Sequence, residues 1–106
     1  MDNDAIQDLF SGLGPVTIKR MFGGKGIYFE GSIIALEVSD ELLLKADKVS
    51  APQFEAAGCR QWTYAREGKA PVGMPYWSIP EDAYDDPDIM TEWAKRAYDA
   101  SLRVAK

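Results

Sequence analysis

The basic and glycine residues that are best suited to bind an anion all lie within one short stretch of this chain. They are Lys19, Arg20, Gly23, Gly24, Lys25 and Gly26. Backbone N–H groups in glycine turns can form concavities that hold a phosphate or a carboxylate, so we treat these residues as a candidate ligand or partner loop. The same glycines suit a tight connection or a bulge between two strands, which is the simpler interpretation. Both interpretations stay open at the level of sequence.

The stretch does not match either of the common phosphate-binding signatures. A P-loop needs a serine or threonine after its lysine, and here Gly26 follows Lys25. A dinucleotide-binding fingerprint needs a third glycine where this chain has Phe29, and it needs a helix directly afterwards. We therefore predict no nucleotide cofactor from this motif.

Residues for covalent or metal chemistry are sparse. The chain has no histidine and one cysteine, Cys59, which excludes a Cys/His zinc site and a histidine-activated nucleophile within one chain. Arg60 could lower the pKa of the Cys59 thiol if it lay close, but a lone cysteine more often fills space in a core. We predict a protein that is not an enzyme and that has no catalytic residue, no metal and no cofactor.

Four aspartates near the C-terminal third could suggest an oxygen-ligand metal site. They are Asp82, Asp85, Asp86 and Asp88. Their spacing does not fit a calcium-binding loop, which needs a central glycine and a terminal glutamate. Carboxylates at the start of a helix also cap it and oppose its dipole, so we favour an acidic, solvated helix start.

Length and charge narrow the class of protein further. The chain has 106 residues, which indicates one domain, residues 1–106, and its net charge of −5 argues against direct nucleic-acid binding and against a membrane surface. No apolar run approaches the ~20 residues that cross a bilayer, and the N-terminal segment 1–4 carries two aspartates where a secretory signal would be basic. These features favour a cytoplasmic location.

The elements that must position these residues follow from apolar periodicity. Helical spacing covers residues 6–13, 51–57 and 87–102, and alternation typical of strands covers residues 16–47, 61–66 and 73–79. The pattern predicts an α+β fold: a single domain with an antiparallel sheet, in the order helix–strands–helix–two strands–helix. Ser50 and Asp86 are the predicted caps of the second and last helices. Pro75 predicts an edge position or a local irregularity in its strand.

Aromatic side chains occupy both faces of the predicted sheet. An antiparallel sheet with one open face normally shows polar residues there, so both faces are expected to be covered, by helices or by another molecule. We take Tyr28, Tyr76 and Trp77 as the candidate interface. Sheet aromatics can also stack nucleic-acid bases, but the acidic charge favours packing or a protein contact.

Several separated blocks of the chain resemble the TfoX N-terminal domain family, named for a regulator of natural competence in bacteria. The blocks are residues 20–28, 35–36, 42–47, 62–64 and 74–80, with Phe54 and Gly58 in the middle helix. They agree in order and spacing from about Phe10 to Leu102. One departure is Leu43, where the family often has an aromatic.

The resemblance implies an α+β domain that takes part in transcriptional regulation through protein contacts. It implies a protein partner or a homodimer, and it supplies no catalytic residues. Full-length competence regulators carry a second, C-terminal domain in addition to the one that these 106 residues resemble. The resemblance therefore does not imply that this domain controls competence on its own.

Overall fold

The fold combines one six-stranded sheet with four helices over the residues that the computed structural model describes, 1–21, 23–65 and 67–104. The elements in chain order are α1 (Asn3–Leu9), β1 (Thr17–Met21), β2 (Gly24–Phe29), β3 (Ser32–Val38), β4 (Glu41–Lys45), α2 (Ala51–Ala56), β5 (Gln61–Tyr64), β6 (Val72–Ser78), α3 (Glu81–Asp85) and α4 (Pro87–Val104). This confirms the predicted α+β class and, apart from the additional short helix α3, the predicted order of elements.

All strand pairs in the sheet are antiparallel, and the order across it is β1-β2-β3-β4-β6-β5. The strand that contains Pro75 is therefore not at an edge. Its pairing is irregular, which is the other possibility that Pro75 predicted. Gln61 pairs with Trp77 and Thr63 pairs with Gly73, so β6 contributes two extra residues at this point. The irregularity lies where proline has no N–H to donate to a ladder.

One face of the sheet is covered by the helices, and we call it the helix face. A row of directly paired residues runs across it: Ile18, Ile27, Ala35, Leu44 and Trp77. Apart from Ile18, which packs against its edge, these side chains form one core with residues from all four helices, including Ile6, Phe54, Ala83 and Met90. Burial of this apolar surface is the main stabilising contribution to the fold.

A β-bulge changes the expected alternation in β3. Tyr28 pairs with Ile33 and Ile27 pairs with Ala35, which leaves Ile34 as an extra residue in β3. Strict alternation placed Ile34 and Ala35 on opposite faces. The bulge instead lets both lie fully buried in the core.

The helix ends follow the predicted caps only in part. The Asp86 carboxylate accepts hydrogen bonds from the N–H groups of Asp88 and Ile89, which confirms it as the cap of α4. Ser50 does not cap α2 with its side chain, because its hydroxyl is bonded to Asp47 instead. Leu102, the last residue of the apolar helical spacing predicted for residues 87–102, is 41% exposed and lies outside the core.

Candidate functional site

The glycine loop closes the β1–β2 hairpin. Met21 pairs with Gly24, so only positions 22 and 23 lie between the strands, and Phe22 is outside the described residues. Gly23 has a φ of +81°, which other residues adopt only with strain. A Cβ on Gly24 would lie 2.1 Å from the carbonyl oxygen of Glu37 in β3. The conformation of Gly23 and the close approach at Gly24 thus have a structural reason, a tight turn and close strand pairing.

The three cations of the candidate loop do not converge. Arg20 and Lys25 pair across β1 and β2 on the helix face, whereas Lys19 lies on the opposite face. The Lys25 ammonium donates to the carbonyl oxygen of Met1 at 3.0 Å and to Oδ1 of Asn3 at 2.9 Å. Arg20 and Lys25 line a cavity of about 240 Å³ together with Asn3 and Ile18.

The second face of the sheet has a different character. Its paired residues on β1, β2, β3, β4 and β6 are Thr17, Lys19, Met21, Gly24, Gly26, Tyr28, Ile33, Leu36, Val38, Glu41, Leu43, Lys45, Tyr76 and Ser78. Within the described part of the chain, the core that the helices form does not include these residues, so we call this surface the helix-free face. Half of these residues are apolar or aromatic, which departs from the polar pattern expected of a solvated sheet face.

Side chains on the helix-free face pack closely against one another. Leu36 pairs with Leu43, which is only 2% exposed. Met21 and Tyr28 both lean over Gly26, where a Cβ would lie 2.6 Å from the Met21 sulfur and 3.1 Å from Tyr28 Cε1. Met21 itself stays 42% exposed. The face is therefore an ordered apolar surface and not a loose collection of side chains.

Two lysines lie over tyrosine rings on this face. The Lys19 ammonium is 4.9 Å from the centre of the Tyr28 ring, and the Lys45 ammonium is 5.0 Å from the centre of the Tyr76 ring. Burial raises the pKa of the Tyr76 hydroxyl, and the nearby Tyr28 adds to the effect. Partial burial lowers the pKa of Lys45. These cation–π contacts orient both ammonium groups on the helix-free face.

The predicted interface residues separate onto two faces. Tyr28 and Tyr76 lie on the helix-free face, but Trp77 lies on the helix face and belongs to the core. Its ring stacks on Phe54, whose centroid is 6.2 Å away, and Phe54 in turn contacts Trp93. Adjacent residues in a strand point to opposite faces, so Tyr76 and Trp77 cannot share one surface. We therefore keep only the two tyrosines in the proposed surface.

Sequence reasoning did not single out Lys45 or Leu36, and it noted Leu43 only as a departure from the family pattern. The alternating pattern of β4 already places Leu43 and Lys45 on one face, and that signal could have found them. Their meeting with Tyr28 and Tyr76 depends on the strand order, in which β6 pairs with β4. The order of strands across a sheet is not visible in local periodicity.

Cys59 has the environment of a packing residue. It lies against the core and borders a cleft of about 610 Å³. Burial raises the pKa of its thiol, a hydrogen bond with Ser78 opposes this, and Asp82 raises it further. Arg60, considered as an activating neighbour, pairs instead with Glu41 at 3.4 Å. The thiol therefore remains mostly protonated at neutral pH, which does not favour nucleophilic chemistry.

The described residues offer neither a cluster of metal ligands nor a membrane-spanning helix. They hold no group of three or more histidine, cysteine or acidic side chains arranged to bind a metal ion. In the same part of the chain, every helix is too short or too polar to traverse a bilayer.

Comparison with known proteins tests the family resemblance. A family model described as the TfoX N-terminal domain matches residues 8–101. A search of curated proteins finds no significant match. Because the family match covers nearly the whole chain, this protein belongs to the TfoX N-terminal domain family.

Proposed function

We propose that this protein is a non-enzymatic protein-interaction domain and that the helix-free face is its binding surface. The observation that carries the proposal is the packed group of Leu36, Leu43, Tyr28 and Tyr76, which lies outside the core that the helices form. Leu43 and Tyr76 are nearly buried, so a partner would contact this group through the partly exposed Tyr28 and Leu36 and the exposed Met21. Apolar patches of this kind on a small domain commonly mark sites where another protein binds. The partner is another protein or a second copy of the chain.

Family membership supports the same proposal from a second direction. The family is named for a regulator of competence, and the resemblance implies regulation through protein contacts. We propose that this domain contributes such a contact to transcriptional control. The supporting structural fact is the face itself, whose side chains are suited to packing.

Site-specific photo-crosslinking in cell extract tests the proposal. A photoreactive phenylalanine analogue replaces Met21, which is 42% exposed on the helix-free face, and in a matched control it replaces Val49, which is 60% exposed outside that face. We expect a discrete crosslinked product from position 21 that is absent from position 49. A product at twice the mass of the chain identifies a second copy.

A second variant separates binding from misfolding. Met21→Asp places a charge on the exposed rim of the face, and the photoreactive group is moved to Tyr84, which borders the same face beside Glu41 and Ser78. We expect Met21→Asp to remove the crosslinked product that this position gives in the unchanged chain, with an unchanged circular dichroism spectrum. Equal products from positions 21 and 49, or no product from either, contradict the proposal.

The alternative is a small anionic ligand held beside the glycine loop. Its support is the cavity at Arg20 and Lys25, although the Lys25 ammonium already donates to two oxygens of the chain. Inorganic phosphate should then raise the melting temperature, and Lys25→Ala should abolish the increase. A melting temperature that phosphate does not change argues against this alternative.

A further inference from the structure

The helix-free face has a charge opposite to that of the molecule as a whole. The chain carries a net charge of −5. On this face, however, the strands present Lys19 and Lys45, and the carboxylate of Glu41 is paired with Arg60 at 3.4 Å. Within the described residues neither lysine forms an ion pair with a carboxylate. The surface is thus apolar with two available positive charges.

Lys45 in particular lacks a compensating anion among the residues that the structure describes. Its ammonium is half-buried among tyrosines and its pKa is lowered by that burial. Desolvation disfavours a charged group unless an opposite charge or a hydrogen-bond acceptor lies close. An incoming carboxylate would supply that partner and would raise the pKa again.

The distance between the two lysines limits which segments can pair with both of them. Lys19 leans over Tyr28 in β2 and Lys45 leans over Tyr76 in β6. These strands are three positions apart in the sheet, which corresponds to about 14 Å at the usual strand separation. In an extended segment, residues i and i+4 point to the same side and lie about 13 Å apart. Two carboxylates four residues apart therefore match the separation of the two lysines.

A cavity next to Lys45 adds a place for an apolar side chain. It has a volume of about 330 Å³ and lies between Tyr28 and Ile33 on the strands and Val104 at the end of α4. The apolar strand residues around it match an apolar side chain between two acidic ones.

We propose that the partner of the helix-free face is an acidic and apolar protein segment whose carboxylates pair with Lys19 and Lys45. This inference rests on the proposed function, because it assigns the chemistry of the partner at the same surface. It places alternating glutamate or aspartate and apolar side chains against the tyrosines and leucines of the sheet.

Two other occupants fit the face less well. A second copy that presented the same face would bring lysine against lysine. A second copy that presented its acidic helices would use a different surface from the first, and such a contact does not form a closed dimer. Single-stranded nucleic acid stacks its bases on exposed ring faces, but each tyrosine here has an ammonium over its ring and Tyr76 is only 7% exposed.

Titration of the ¹⁵N-labelled protein with designed peptides tests the inference. The probe is a blocked peptide with the sequence Glu-Thr-Leu-Thr-Glu-Thr-Leu-Thr-Glu, and its matched control has glutamine in place of each glutamate. We expect the acidic peptide to shift the amide signals of β2, β3, β4 and β6 and to bind about 3- to 10-fold more tightly than the glutamine peptide at low salt. Lys19→Met with Lys45→Met should remove that difference, whereas Lys95→Met on α4 should not.

The outcomes distinguish the inference from the function on which it rests. Equal binding of both peptides at the helix-free face overturns the acidic partner and leaves the interaction surface in place. No shift with either peptide counts against both. A ten-nucleotide thymidine oligomer that shifts the same amides and competes with the acidic peptide overturns the assignment of a protein partner. Circular dichroism of each variant excludes loss of fold as the cause.

Discussion

At the scale of single residues, two glycines of the loop each have a structural role. Gly23 takes a positive φ in the turn, and Gly24 lets β2 approach the backbone of β3. The two neighbours are thus glycine for different reasons. One needs a conformation that other residues rarely adopt, and the other needs space.

Alanine substitutions at these two positions separate the reasons. Gly24→Ala places a methyl group 2.1 Å from the carbonyl oxygen of Glu37, so the β2–β3 pairing must shift, and we expect a loss of about 2–4 kcal/mol in the free energy of unfolding. Gly23→Ala meets no neighbouring atom but keeps the strained φ, and we expect a loss of about 1–2 kcal/mol. Urea denaturation measures both values, and a smaller loss for Gly24→Ala than for Gly23→Ala contradicts this account.

At the scale of elements, Asp47 links the end of β4 to two helices. Its carboxylate accepts from the N–H and the hydroxyl of Ser50, just before α2, and it forms an ion pair with Arg103 in the last turn of α4. These contacts hold the pKa of Asp47 well below its usual range, with the Arg103 hydrogen bond as the main cause. One side chain thereby ties the start of a short helix to the end of the longest one.

The lowered pKa of Asp47 predicts a pH dependence of stability. A carboxyl group with a depressed pKa stabilises the folded state above its unfolded pKa of about 4, and that contribution is lost as the pH falls below this value. Asp47→Asn should lower the melting temperature at pH 7 by about 5 °C, and the difference from the wild type should shrink toward pH 3. Glu92→Gln, an exposed change nearer the start of α4, is the control. A difference that stays constant between pH 7 and pH 3 contradicts the role of the charge.

At the scale of the whole molecule, a one-sided layer architecture leaves the helix-free face outside the main core. All four helices contribute to a core on one face of the sheet. A sheet exposed in this way invites association, and charged side chains on it limit wrong pairings. Lys19 and Lys45 are suited to both tasks, because they repel a second copy and attract an acidic partner.

Removing these two charges should therefore change self-association. We expect the wild-type protein to sediment mainly as a monomer and the Lys19→Met, Lys45→Met variant to associate more strongly at the same concentration. The variant is more negative overall, so general charge repulsion predicts the opposite result. Lys48→Met with Lys95→Met makes the same charge change away from the face and should remain monomeric. Stronger association of that control contradicts the assignment to the helix-free face.

Local patterns in the sequence determined the elements of this protein. Helical periodicity with Asp86 and Pro87 at a helix start, and alternation in residues 16–47, predicted α4 and the first hairpins, because these signals depend only on near neighbours. The tertiary structure alone decided which face the helices cover and where the bulge at Ile34 lies. It also decided that β6 pairs with β4 inside the sheet and does not form an edge. Those choices depend on contacts between residues far apart in the chain. They also bring Lys19, Tyr28, Lys45 and Tyr76 onto one surface, which no local period could show.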